Sequence, residues 1–194
     1  MPYFPQFIDI KDKEILVVGA GNIAARKIEK LALFGPKIKI VATRANAEVE
    51  GWVAENSNLC LEIKSFEFSD IGSPLFVIVA ADDIPLQKQI YEFCLKKGIP
   101  CNCVDSPKYC SFIFPALVVR GDLCVGINTT GKAPYLSRRI REILDHFLPQ
   151  ELKEVVEKSH EYREAATDKK IDFQKIKNYV EDLIQKIEWR SPKV

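Results

Sequence analysis

Apolar and polar positions alternate along the first hundred residues in two distinct rhythms. Residues 15–18 (Ile-Leu-Val-Val) form a β-branched apolar run of the kind a buried parallel strand carries. Past Gly19-Ala20-Gly21, the residues Ile23, Ala24, Ile28, Leu31 and Ala32 fall on one face of a helix, which Gly35-Pro36 stops. Residues 37–43 alternate Lys with Ile or Val and predict a second strand. A weaker helix is expected over 48–55 and a third strand over 59–64. The run 75–81 predicts a strong buried strand, followed by a helix over 85–97 that Gly98 closes. Residues 100–104 predict a short strand leading into Asp105. Repeated strand-helix-strand units of this kind predict a mostly parallel sheet with helices on both faces.

The rhythm changes after residue 110. Two apolar runs, 111–119 and 123–128, flank Arg120-Gly121-Asp122 and predict an antiparallel hairpin. A polar loop over 129–134 leads into an amphipathic helix over 135–147. Two further charged helices are expected at about 150–165 and 172–189.

Composition narrows the function classes. The chain has 194 residues, 47% of them hydrophobic and 28% charged, which are globular values. Lys plus Arg is 28 against 27 for Asp plus Glu, so no global charge draws the protein to nucleic acid or an anionic membrane. No apolar run approaches the roughly 20 residues that span a bilayer. The N-terminus lacks the basic and apolar regions of a secretory signal. A cytoplasmic protein is therefore expected, with no membrane partner and with its six cysteines as reduced thiols. Cys101-x-Cys103 with Cys110 invites a metal reading, but no C-x-x-C pair is present, and cysteines on strands are usually small buried hydrophobes.

Four features carry chemistry. The segment from Gly19 to Ala24 is a G-x-G-x-x-A set between a strand and a helix. In that context Gly19 permits the tight turn, Gly21 lets the backbone approach a pyrophosphate, and Ala24 permits close packing. The helix start then offers N–H groups and a positive dipole end to the phosphates. The second strand should end on an acid that reads the ribose of NAD, but Val41-Ala42-Thr43-Arg44 stands there instead. The Thr43 hydroxyl suits a ribose, and Arg44 suits either the adenine or a 2′-phosphate, so chemistry alone leaves NAD and NADP open. Asp105 lies at the carboxyl end of a strand, where a carboxylate acts as a base, orients a cationic substrate, or merely caps a turn. Finally, the loop 128–134 with Arg138, Arg139 and Arg141 suits a polycarboxylate, because Arg meets carboxylates with a two-pronged fork. A solvated basic helix face is the plainer reading.

Together these residues resemble one family. Phe4-Pro5, Gly19-x-Gly21-x-x-Ala24, Arg26-Lys27, Cys101-Asn-Cys-Val-Asp105, Ser111-Phe112-Ile-Phe-Pro115 and Gly131-x-x-Pro134 are similar to the precorrin-2 dehydrogenase family over about residues 1–150. That family includes the amino-terminal half of bacterial siroheme synthase.

The resemblance implies an α/β fold: a Rossmann NAD-binding domain (1–112), a small β-containing dimerisation region (113–148) and a C-terminal helical domain (149–194). It implies NAD-dependent oxidation of precorrin-2 to sirohydrochlorin in a homodimer, with ferrous iron insertion, a lyase activity, in some members. It places cofactor contacts at Asn22, Ile23, Thr43 and Arg44 beside Gly19 and Gly21, and the acid/base at Asp105. Substrate contacts are expected at Ser111, Thr129, Lys132 and Arg138. Thr129 stands where some bacterial members have a phosphorylated serine. A non-catalytic NAD(H)-sensing module is the reading from another class. The two-stranded hairpin, with little sheet of its own, independently predicts a homodimer.

Overall fold

A computed structural model describes residues 3–104, 106–165 and 173–189, with no side-chain description at 165 and 173. Asp105 therefore lies outside the described residues. The chain divides into two compact units, Met1–Ile113 and Phe114–Val194.

The first unit contains strands β1 (Glu14–Ala20), β2 (Lys37–Ala45), β3 (Leu59–Ile63), β4 (Phe76–Val79) and β5 (Cys101–Cys103). Helices α1 (Asn22–Ala32), α2 (Ala47–Glu55) and α3 (Ile84–Lys97) connect them. All neighbouring strands pair in parallel, in the order β3-β2-β1-β4-β5. This is the first five-strand part of a Rossmann sheet, with its reversal of winding between β1 and β4.

Strand alternation divides the core into two layers. Leu16, Val18, Val41, Val77 and Val79 pack with Ile90 and Cys94 of α3. Ile15, Val17, Ile38 and Ile40 lie on the other face and are fully buried, as are Ala24 and Ile28 of α1. Each such Val, Leu or Ile contributes about 1.5–3 kcal/mol relative to exposure.

Three details differ from the sequence pattern. Ile23, expected on the apolar face of α1, is 41% exposed, because it stands in the first turn beyond the sheet edge. Strand β2 runs past Thr43 to Ala45, and the β1–β2 register shifts after Val18, with the extra residues on β2, so that Ala20 lies opposite Ala45. The hairpin strand begins at Ala116, not 111. Residues 110 and 111 instead lie along β5, with Asn102 bridging Cys110 and the Ser111 N–H donating to the Cys101 carbonyl at 2.7 Å.

The second unit contains the antiparallel pair β6 (Ala116–Arg120) and β7 (Leu123–Ile127). Gly121, at φ +58°, makes their two-residue turn. Helices α4 (Pro134–Phe147), α5 (Leu152–Ala165) and α6 (Phe173–Gln185) follow, the last shorter than its pattern suggested. Arg120 is buried and ties the hairpin to α4. Its guanidinium donates to the Val119, Asp145 and Leu148 carbonyls and to Asp145 Oδ1 at 2.7–3.0 Å. Tyr162 of α5 stacks on Tyr179 of α6 with ring centroids 4.6 Å apart. No helix among the described residues is long and apolar enough to cross a membrane.

Candidate dinucleotide site

The chain leaves the carboxyl end of β1 at the point where the sheet reverses its winding. Gly19 adopts φ +105°, and a Cβ there would lie 2.6 Å from the Ala80 carbonyl oxygen at the end of β4. The protein itself therefore requires this glycine. Gly21 differs. Its φ of −86° suits any residue, and a Cβ would meet nothing within 4 Å. No contact within the fold calls for glycine at 21; the open space lies in front of a helix start, where a phosphate would fill it.

That helix start is bare. Gly21 offers no side-chain cap and no acid occupies the first turn of α1. The first backbone bond, from the Ala25 N–H to the Gly21 carbonyl, leaves the earlier amides to a ligand. Asn22 Oδ1 accepts from Asn46 Nδ2 at 3.0 Å, and the Asn46 N–H donates to the Ala20 carbonyl. Asn46 thereby ties the glycine turn to the end of β2. Thr43 and Arg44 are exposed on that strand end, and Arg44 makes no side-chain bond among the described residues. The six expected cofactor contacts thus lie on two adjacent strand ends.

Of the four expected substrate contacts, Ser111 belongs to the first unit and Thr129, Lys132 and Arg138 to the second. Ser111, in the first unit, accepts from the Cys101 N–H through Oγ at 3.2 Å, so its hydroxyl holds the start of β5. Thr129 lies before α4, with Oγ1 at 2.9 Å from Ser137 Oγ and accepting from the Ala133 N–H at 3.3 Å. Lys132 is exposed without an ion pair among the described residues. Arg138 pairs with Glu142 at 3.0 Å, and its hydrogen bond holds the Glu142 carboxyl below the ordinary range. Arg139 and Arg141 also reach Glu142, and Arg141 reaches Asp145, so much of the expected cationic face is neutralised locally.

The cysteines are thiols. All six are free, and Cys94, Cys101 and Cys103 are buried. Hydrogen bonds with Cys103 and Cys94, with burial, push the Cys101 thiol well up. Among the described residues no three Cys, His, Asp or Glu side chains are placed to hold a metal.

Sequence reasoning passed over Gln87, Ser106 and Asn46. An Asn ahead of the α2 pattern is a legible cap, and its Oδ1 accepts from the Val49 N–H. Gln87 carried no signal, since a polar residue on an amphipathic helix reads as solvated. It is 3% exposed.

A family model described as "Putative NAD(P)-binding" matches residues 6–116, which span the glycine turn and the whole parallel sheet. The chain belongs to this NAD(P)-binding family. Its cofactor class is therefore a nicotinamide dinucleotide, and the bare turn at Gly21 fits one. Siroheme synthase from Ruthia magnifica subsp. Calyptogena magnifica is 38% identical over 169 residues, covering 87% of this chain and 36% of that protein. Siroheme synthase from Neisseria meningitidis serogroup C (strain 053442) is 36% identical over 165 residues, covering 85% and 34%. The chain thus spans about a third of the length of the curated relatives it matches. A solved structure of "SirC, precorrin-2 dehydrogenase" is similar at a TM-score of 0.79 and 25% identity, covering 94% of this chain and 89% of that one. The motif resemblance and the Rossmann fold it implied are borne out.

Proposed function

We propose that this protein is an NAD-dependent dehydrogenase that oxidises precorrin-2 to sirohydrochlorin, acting in the cytoplasm as a homodimer. The observation that carries the reading is the glycine turn, open at Gly21 and bare at the start of α1, in a chain similar along most of its length to a precorrin-2 dehydrogenase. Siroheme synthases as relatives point to the same tetrapyrrole chemistry.

The reaction removes two hydrogens. The cofactor, when bound, accepts one as hydride, and the other leaves as a proton to a base. Gly19, Gly21, Asn22 and Ile23 hold the pyrophosphate through backbone amides and close approach. Thr43 and Arg44 hold the adenosine end, with Thr43 on the ribose of NAD and Arg44 over the adenine. Asp105 takes the proton. Ser111, Thr129, Lys132 and Arg138 meet substrate carboxylates; of these Lys132 is the readiest, and Arg138 exchanges an exposed pair with Glu142 at little cost. The three-part organisation with a dimerisation region over 113–148 belongs to the same proposal. Metal insertion is not included, since no observation on this chain supports it.

The test is anaerobic NADH formation from enzymatically generated precorrin-2, with sirohydrochlorin followed in parallel. Both products are expected together, with NAD used in preference to NADP. Asp105→Ala is expected to keep NADH binding and to lose about 100-fold or more in turnover. Tight NADH binding with neither product formed would favour a sensing module instead.

A further inference from the structure

The start of α2 is linked to the start of α1 through two amide side chains. Asn46 caps α2, its Oδ1 accepting from the Val49 N–H at 3.0 Å. Its Nδ2 donates to Asn22 Oδ1 at 3.0 Å, across 24 positions of sequence. Its backbone N–H donates to the Ala20 carbonyl at 3.0 Å. One residue thus holds the last residue of β1, the first residue of α1 and the first turn of α2.

These bonds allow only one assignment of atoms. A backbone N–H can only donate, so the Asn46 atom facing Val49 is its oxygen. The other end of that amide is an NH2 group, which also only donates, so the Asn22 atom facing it is the Asn22 oxygen. Asn22 Nδ2 makes no bond among the described residues. Polarity therefore runs in one direction, from the Val49 N–H through Asn46 to a free donor on the first residue of α1. That residue follows Gly21, ahead of which the fold leaves open space, and the first turn of α1 carries no acid.

A helix cap alone would be met equally well by Ser or Asp. Neither carries an NH2 group with which to hold the Asn22 oxygen. An unheld Asn22 amide is free to turn that oxygen toward a diphosphate and repel it, and it loses rotamer freedom on binding. We propose that Asn46 is a positioning residue of the dinucleotide site: by holding the Asn22 oxygen it leaves the Asn22 NH2 as a donor for the anionic cofactor. This role rests on the reading of the glycine turn as the cofactor site. Asn46 acts through Asn22 and is not a catalytic residue.

Substitutions that keep the cap separate the two roles. Asn46→Ser keeps an acceptor for Val49 and drops the donor to Asn22. Asn46→Asp also keeps the acceptor, but it draws the Asn22 NH2 to itself and leaves the Asn22 oxygen uncommitted. The full chain is titrated with NADH by fluorescence and melted without ligand. Asn46→Ser is expected to weaken NADH binding about 3-fold and Asn46→Asp about 10-fold, with both melting close to the parent. Asn22→Ala is expected to weaken binding about 5-fold. In that background Asn46→Ser is expected to change binding by less than about 1.5-fold, since the residue through which it acts is gone.

If Asn46→Ser and Asn46→Asp bind NADH as the parent does, or more tightly, Asn46 is only a cap and the proposal is wrong while the cofactor site stands. If the Asn46→Ser loss persists in full beside Asn22→Ala, Asn46 does not act through Asn22, and the proposal is again wrong. If binding and melting temperature fall together in both Asn46 variants, the link is merely structural, which also overturns it. A parent that does not bind NADH removes the cofactor reading of the turn and the role of Asn46 with it.

Discussion

Two glycines two residues apart do different work, and the difference is measurable. Gly19 is held by the fold, with a positive φ and the Ala80 carbonyl where a Cβ would go. Gly19→Ala is expected to destabilise the protein by about 2 kcal/mol or more, because backbone strain and a backbone clash coincide. Gly21 has an ordinary φ and open space ahead of it. Gly21→Ala is expected to change stability by less than about 1 kcal/mol, the scale of a helix-cap substitution. Its NADH affinity should nonetheless fall about 10-fold, since the added methyl occupies the space of a phosphate. Thermal melts and a fluorescence titration with NADH check both halves. Equal melting losses in the two variants, or parent-like NADH binding in Gly21→Ala, would show that the cradle is not where the turn places it.

At the scale of elements, the centre of the parallel sheet was legible because β1 and β4 are buried on both faces and so have continuous apolar runs. The run 15–18 and the run 75–81 each found their strand, and Gly98, at φ +69°, closes α3 as its position foretold. What stayed hidden depends on contacts far apart in sequence. Ser111 reads as the start of a hairpin strand, yet it is drawn to β5 by two bonds to Cys101. The glycine turn between β1 and α1 was legible in a local motif. The Gln87–Ser106 bond, spanning 19 positions, was not.

Asp70 is a second hidden element contact. It sits in a 3-10 turn over Phe68–Asp70, pairs with Lys64 at 2.6 Å and Lys39 of β2 at 3.6 Å, and accepts from the Glu67 N–H at 2.8 Å. Burial works to raise its pKa, but the Lys64 hydrogen bond, the Glu67 amide and the charges of Lys64 and Lys39 outweigh it, and the net pKa is lowered. A carboxyl depressed in the folded state contributes stability above its unfolded value, about 3.9, and loses it as pH falls through the lower folded value. Asp70→Asn is therefore expected to melt about 3 °C below the parent at pH 7, with the gap closing below about pH 4. A gap that persists undiminished at pH 3 would mean the ion pairs are not its source.

For the whole molecule, the second unit poses a problem that one chain leaves unsolved. Its sheet has two strands, and both outer edges lack a strand partner among the described residues. An isolated pair of strands is marginal, and open edges recruit further strands. Arg120 anchors one end of the hairpin to α4, and α4 and α5 pack against it, which stabilises the pair without adding a strand to it. Tyr135 and Leu136, at the start of α4, are 79% and 50% exposed in the same unit. A second copy of the chain would supply both the missing strands and an apolar cover, and a two-fold arrangement satisfies both copies at once. Light scattering at micromolar concentration is expected to give twice the 22.1 kDa chain mass. Because such a dimer couples association to folding, its melting temperature should also rise with protein concentration. A 22.1 kDa species whose melting is independent of concentration would leave the hairpin as a self-sufficient cap and would overturn the dimer.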